Sequence, residues 1–171
     1  MKRGCALVAA LALVGCSRGR QIDEQLVLAL EEARAWQHRA DLHLVDRDVA
    51  AAITDIEQVL RIQFPRGAAE GEEARLDAWA RLAQLHLGPT EADEARSLSD
   101  LDKGRAEATR DSFYRAHLET VAGEVFEARA RRLAPTDAGG ATAARKQALD
   151  AYARSIAINQ RVQAALRKEA P

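Results

Sequence analysis

Apart from its carboxylates and cations, the chain has few side chains that could do chemistry: two cysteines and four histidines. The histidines are His38, His43, His86 and His117. His38 and His43 are five residues apart, whereas two ligands on one helical face need a spacing of three or four. A metal ion also needs convergent ligands that are oriented by further hydrogen bonds. We therefore predict no metal site and no bound cofactor.

The sequence also lacks the common catalytic motifs. It contains no His-Glu-x-x-His, no glycine-rich phosphate loop, no Gly-x-Ser-x-Gly and no Glu-x-x-His. Asp100, Asp102 and Gly104 partly match a calcium loop, but the glycine is at the fifth position and the sixth is needed. We interpret these three residues as a solvated turn, and we predict that the protein is not an enzyme.

Both cysteines lie in an N-terminal segment that has the order of a secretory signal peptide. Two cations, Lys2 and Arg3, precede an apolar run from Ala6 to Val14. This run is too short to cross a bilayer, which takes about 20 apolar residues. The alternative is a cytoplasmic protein whose first residues happen to be apolar.

The sequence Leu13-Val14-Gly15-Cys16 resembles the lipobox of bacterial lipoproteins. The resemblance implies cleavage between Gly15 and Cys16, a diacylglycerol on the Cys16 thiol and a fatty acid such as palmitate on its amine. Two or three acyl chains anchor a protein stably, whereas one chain binds only marginally. Ser17 is not Asp, and by the sorting rule of some such lipoproteins this favours the outer membrane, with the protein facing the periplasm.

Length and charge limit the kinds of domain that the rest of the chain can form. Removing residues 1–15 leaves 156 residues, enough for one domain, with 23 basic and 26 acidic side chains. This balance argues against a nucleic-acid-binding protein, which would show a basic stripe. The mature chain would have no cysteine besides Cys16, and therefore no internal disulfide. We predict a signal peptide over 1–15, a lipidated cysteine and tether over 16–22, and a single helical-repeat domain over 23–168.

Apolar residues three and four apart predict an all-α domain. The predicted helices run from about Asp23 to Leu44, from Val49 to about Phe64, from about Glu72 to Leu87, and from about Thr142 to Lys168. Thr90 is a candidate N-cap for the next segment, for which we predict two helices with a bend near Gly104. Loops are expected over 67–71 and 135–140. In the last helix, Leu149, Ile156 and Leu166 are expected to face inward.

One helix sequence occurs twice. Residues 35–44, Ala-Trp-Gln-His-Arg-Ala-Asp-Leu-His-Leu, align with residues 78–87, Ala-Trp-Ala-Arg-Leu-Ala-Gln-Leu-His-Leu, and six of the ten positions are identical. The shared positions that we expect to pack between helices are Trp36, Ala40 and His43 in the first copy and Trp79, Ala83 and His86 in the second.

A Trp, a small residue and then a ring at these spacings resembles the first helix of tetratricopeptide repeats. The resemblance implies antiparallel helical hairpins stacked as a short array, in which the small residue lets two helices approach closely. The period between Trp36 and Trp79 is 43 residues, however, against about 34 in that family. Arg39 also stands where Leu82 stands in the second copy. The alternative is a plain antiparallel helical bundle.

Together these features predict a membrane-anchored periplasmic lipoprotein that acts as a non-enzymatic protein-interaction scaffold or as an assembly factor for an envelope complex. Stacked helical hairpins offer an extended surface for partner segments. The expected partners are the membrane, through the lipid on Cys16, and an envelope protein; no nucleic acid or small-molecule substrate is indicated. The alternative is a helical-bundle lipoprotein that senses a small ligand or metal, for which an enclosed apolar pocket would be needed.

Overall fold

The described part of the chain consists of helices joined by short loops. The computed structural model describes the backbone of residues 13–169 and the side chains of residues 24–168. Its helices are α1 (Leu13–Val45), α2 (Val49–Arg61), α3 (Ala69–His86), α4 (Glu91–Glu107), α5 (Phe113–Leu133) and α6 (Ala138–Glu169). No strand occurs between residues 13 and 169, and the predicted all-α fold is confirmed.

Side-chain caps fix where four of the helices begin, and the cap of α6 is Asp137, which accepts a hydrogen bond from the backbone N–H of Gly140 at 2.8 Å. Asp48 accepts a hydrogen bond from the backbone N–H of Ala51 at the start of α2, and Ser112 caps α5 in the same way. At the start of α4, the predicted N-cap Thr90 forms a capping box with Asp93, so that each side chain accepts from the other residue's backbone N–H. Such caps satisfy N–H groups that have no partner within the helix.

The helices form hairpins in chain order. The antiparallel pairs are α1 with α2, α3 with α4, and α5 with α6. In addition, α2 packs against α3, and α4 packs against α5. Among the described residues, α1 touches α3 and α3 touches α5, but α2 does not touch α4 and α4 does not touch α6. The helices are therefore closer together on the side of α1, α3 and α5, which we call the inner face.

Two apolar clusters hold the hairpins together. The first joins α1, α2 and α3 and includes Ala40, Ile56, Val59 and Leu82. The second joins α3, α4, α5 and α6 and includes Ala83, Leu101, Leu118 and Ala151. Because α3 contributes to both clusters through opposite faces, it is the central helix of the array.

The predicted bend near Gly104 is wrong. Helix α4 continues through Gly104 to Glu107, and the chain turns only at residues 108–112. A Cβ on Gly104 would lie 2.8 Å from Leu118 Cδ2 and 3.0 Å from Trp79 Cβ. Glycine is present because α3 and α5 approach the backbone of α4 closely at this point. Of the three residues that we expected to form a solvated turn, Asp100 and Gly104 are buried in α4, whereas Asp102 is exposed.

Helix bounds also differ from the prediction. The backbone of α1 is helical from Leu13, well before Asp23, and therefore includes the residues expected to form the tether. Helix α3 begins at Ala69 and α6 at Ala138, inside the expected loops. In both helices, the glycines that suggested a loop adopt helical dihedral angles. Among the glycines of the described chain, only Gly67 has a positive φ, the conformation that favours glycine in a turn.

The expected inward face of α6 is also partly wrong. Leu149, Ile156 and Leu166 are exposed, whereas the side of α6 that packs against α5 is formed by smaller residues. These buried residues are Ala144, Ala148, Ala151, Ser155 and Ile158. The apolar stripe read from the sequence therefore combined two faces of the helix.

Candidate interaction surface

The inner face is crossed by a row of polar contacts between α1, α3 and α5. Three side-chain pairs, each between residues 40 apart in the sequence, join neighbouring helices: Gln37 with Asp77 at 2.8 Å, Arg81 with Asp41, and Gln84 with Glu124 at 3.1 Å. Gln37 and Gln84 donate through their Nε2 atoms to the carboxylates. These contacts fix the spacing of the three helices and leave a polar surface facing solvent.

A cavity of about 250 Å³ opens on this face between α1, α3 and the start of α5. Its lining includes Leu30, Gln37, Glu73, Asp77 and Tyr114. Burial raises the pKa of Asp77, although the positive charges of Arg81 and His117 act in the opposite direction. Burial also raises the pKa of Tyr114, and the negative charges of Asp77 and Glu73 add to this effect. The cavity thus combines apolar walls with carboxylates.

Rings stand beside the cavity at the start of α5. The Phe113 side chain is 62% exposed. It makes an edge contact with Tyr114, at a centroid distance of 5.3 Å, and stacks on His117 at 6.2 Å. A large exposed ring next to polar groups is typical of the residues that dominate binding energy at protein interfaces.

The repeated Ala and Trp residues occupy matching places in the first two hairpins. Ala40 and Ala83 are fully buried. Trp36 and Trp79 are half-buried and both carry a cation over the ring: the Arg39 guanidinium is 4.2 Å from the Trp36 ring centre, and the Lys103 amine is 5.0 Å from that of Trp79. The indole N–H of Trp79 also donates to Glu107 at 3.1 Å.

The two equivalent histidines each face a buried carboxylate on the second helix of their own hairpin. His43 Nε2 lies 3.5 Å from Asp55 Oδ2, and His86 Nδ1 lies 2.6 Å from Asp100 Oδ2. Arg39 donates to Asp55 through two nitrogens, and this bonding lowers the pKa of Asp55. Each pair therefore ties the two helices of a hairpin together at the same relative place.

Sequence alone does not identify Asp55, and it assigns Asp100 to a solvated turn, whereas the structure buries Asp100 in α4. Asp55 and Asp100 each precede a large buried residue of the second helix, Ile56 in one hairpin and Leu101 in the other. Among the side chains described, the third hairpin has no such His–Asp pair. Among the described residues, no three His, Cys, Asp or Glu side chains are grouped so that they could hold a metal ion.

Sequence alone shows only two copies of the repeat, because the third hairpin lacks the Ala-Trp sequence. The contact of Gln84 with Glu124 makes α5 the neighbour of α3 on the inner face. Gly123 of α5 is buried, and a Cβ there would lie 2.6 Å from Tyr152 Cζ on α6. A small residue therefore lets the two helices of the third hairpin approach closely.

A larger cavity, of about 630 Å³, lies away from the inner face between the loop after α2 and the start of α3. The charged groups around it are already paired. Arg75 forms two hydrogen bonds with Glu107, at 2.7 and 2.8 Å, and Glu72 accepts from the backbone N–H of Thr109. Across the side chains described, no buried nitrogen or oxygen lacks a hydrogen-bond partner. No polar group in this cavity therefore points to a ligand.

The fold and this surface define an all-α protein of stacked helical hairpins with a polar inner face. No known protein family, curated protein or solved structure matches the chain. None of the helices in the described range is both long and apolar enough to cross a membrane. Of the expected signal peptide, residues 1–12 lie outside the described residues, and the side chains of Gly15 and Cys16 are not described either.

Proposed function

We propose that this chain is a lipid-anchored protein of a bacterial envelope membrane, with the lipid on Cys16, most consistent with the outer membrane facing the periplasm. Its helical array acts as a non-enzymatic interaction scaffold or assembly factor for an envelope complex, and its three stacked hairpins resemble a short tetratricopeptide-like array. The anchor is supported by the sequence Leu13-Val14-Gly15-Cys16.

One observation carries the scaffold proposal: the inner face joins a carboxylate-lined cavity to an exposed ring. Asp77 and Glu70 offer negative charge, while Glu73 is already paired with Arg110. Phe113 and Leu30 offer apolar contact. A segment of a partner protein with basic and apolar side chains would satisfy both. Binding in a groove formed by several helices is a common mode of peptide recognition.

The anchor is tested with Cys16→Ala in the full chain. Wild type should incorporate radiolabelled palmitate and sediment with membranes, whereas the variant should do neither, because it lacks the thiol that receives the diacylglycerol. Ser17→Ala, one residue away, is the matched control and should keep the label. Equal labelling of the Cys16 variant and wild type would contradict the anchor.

The scaffold proposal is tested by photo-crosslinking in intact cells. A photoreactive residue in place of His117, on the inner face, should capture a reproducible envelope protein, whereas one at Arg96, on the exposed side of α4, should not. Phe113→Ala should reduce capture at position 117 at least about tenfold, because truncation of a central aromatic contact commonly costs 2 kcal/mol or more. Equal capture at both positions, or none at position 117, would argue against the inner face as the binding surface.

A further inference from the structure

Internal packing defines which positions join one hairpin to the next. On α2, Ile53 and Leu60 pack into the cluster that α2 shares with α3. On α3, Ala78 and Leu82 belong to the same cluster, and Leu85 packs against it. Contact between α2 and α3 is close along the pair, since Arg75 of α3 also donates to the backbone carbonyl of Leu60 at 2.7 Å.

Helix α6 has the same outward positions, and no helix follows it among the described residues. Its buried residues 148, 151, 155 and 158 have the spacing of the buried residues 52, 55 and 59 of α2 and of residue 62 directly after it. This alignment places Leu149 at the position of Ile53 and Ile156 at that of Leu60. Both side chains are large and apolar, yet Leu149 is 69% and Ile156 59% exposed.

Helix α1 has the complementary positions, and no helix precedes it among the described residues. The 43-residue repeat places Ala35 and Leu42 at the positions of Ala78 and Leu85. Ala35 is exposed, and Leu42 is 66% exposed. Arg39, at the position of Leu82, is held by Asp55 of its own hairpin and lies over the Trp36 ring. The exposed face of α6 therefore corresponds to the α2 side of the α2–α3 interface, and the exposed face of α1 corresponds to its α3 side.

The charges of the two end helices are also complementary. Between residues 138 and 168, α6 carries six basic side chains and one acidic side chain, and four of the basic ones remain after Arg154 and Arg161 have paired with Glu119 and Asp111. Between residues 24 and 45, α1 carries four acidic and two basic side chains, and Glu24 and Glu32 remain after Asp41 has paired with Arg81, Glu31 with Arg34 and Arg39 with Asp55. Opposite potentials on two surfaces favour their encounter and fix their orientation.

We infer that the chain associates with a second copy of itself head to tail, so that Leu149 and Ile156 of α6 in one copy pack against Ala35 and Leu42 of α1 in the next. The contact repeats the packing of α2 on α3. It is heterologous, because two different surfaces meet, so each dimer still has one free α1 face and one free α6 face. Such contacts extend into chains or close into rings. This inference does not depend on the lipid or on the partner of the inner face.

The test uses the full chain in density-matched non-ionic detergent and sedimentation equilibrium. Wild type should form species larger than one copy as its concentration rises. Leu42→Glu and Leu149→Glu should each weaken self-association at least tenfold, because each introduces a charge into one half of the contact. An equimolar mixture of the two variants should form a one-to-one dimer that grows no further, since each variant retains the face that the other has lost.

Val49→Glu is the matched control, because it adds the same charge at an apolar residue that is 44% exposed at the start of α2 and on neither end face, and it should associate like wild type. Circular dichroism should show unchanged helicity in all three variants. Wild type that stays a single copy up to about 100 µM would overturn the inference. It would also be overturned if Leu42→Glu associated like wild type, which indicates pairing of two α6 helices, or if the α6 face bound anionic phosphatidylglycerol vesicles and no second copy.

Discussion

Glu119 should be one of the most costly charges to remove from this protein. Its side chain is only 10% exposed and lies on α5 between an arginine of α4 and an arginine of α6. Arg105 of α4 donates to its two oxygens at 2.7 and 3.0 Å, and Arg154 of α6 donates to Oε2 at 2.8 Å. In Glu119→Gln the volume is kept, but the negative charge is lost and an amide N–H₂ replaces one of the accepting oxygens.

The size of the effect follows from the exposure of the three groups. Removing one partner of a fully buried ion pair costs about 3–5 kcal/mol. Here the side chain of Arg105 is 31% exposed and that of Arg154 51% exposed, so water can replace part of the lost interaction. We therefore expect the free energy of unfolding to fall by about 2 kcal/mol at pH 7. For a chain of this length, that lowers the melting temperature by about 4–8 °C.

Glu57→Gln is the matched control. Its side chain is 46% exposed, and Arg61 is 4.0 Å away on the same helix. Such an exposed pair contributes about 0.3–0.5 kcal/mol, so the same chemical change should shift the melting temperature by about 2 °C or less. Thermal unfolding followed by circular dichroism measures both variants.

Acid pH gives a second arm of the same test. Burial raises the pKa of Glu119, but the two arginines outweigh it and leave the pKa below its usual value. The stabilisation by Glu119 is therefore complete above its unfolded pKa, about 4.3, and is lost as pH falls through the lower folded value. The difference between wild type and Glu119→Gln should shrink below about pH 4. A Glu119→Gln protein that melts within 1 °C of wild type at pH 7, or a difference that does not shrink in acid, would refute this reasoning.

Three further predictions concern other buried groups. Hydrogen bonding to an arginine lowers the pKa of Asp55, so Asp55→Asn should lower the melting temperature at pH 7, with a difference that narrows below about pH 4; a constant difference in pH-dependent melts would contradict this. Gly104→Ala gains about 1 kcal/mol of helix propensity, but the new Cβ is forced against Leu118 at a cost of about 1–3 kcal/mol. Gly139→Ala makes the same gain without that cost, because the nearest atom to its Cβ is 3.5 Å away. The free energy of unfolding measured in urea should therefore be higher for Gly139→Ala than for Gly104→Ala. Burial and a hydrogen bond to a carboxylate raise the pKa of Tyr152 to about 12, so its absorbance at 295 nm should show ionisation near pH 12 in the folded chain and near pH 10 in urea.

The sequence predicts the helices well because their signals are local. The apolar spacing of three and four, the cap at Thr90 and the stops before Pro65 and Pro89 depend on residues close in the chain. The turn between α4 and α5 was misplaced for the opposite reason. The low helix propensity of Gly104 suggests a break in the helix. In the structure, α3 and α5 pack against the backbone of α4 at Gly104, where a Cβ would not fit. Because these helices come from distant parts of the chain, only the packed structure shows that glycine is needed for this contact and not for a turn.

The limits on predicting the surface have the same physical origin. The repeated Ala-Trp sequence identifies two hairpins because their packing residues agree in type as well as in place. In the third hairpin the Ala-Trp sequence is absent, but a small buried residue, Gly123, still lies at the contact of α5 with α6, and the buried Glu119 is neutralised by two arginines. Composition thus changes from hairpin to hairpin while geometry is kept. For that reason the exposed Leu149 and Ile156, which sequence alone assigns to the core, become interpretable only once each helix is compared with the helix in the equivalent place.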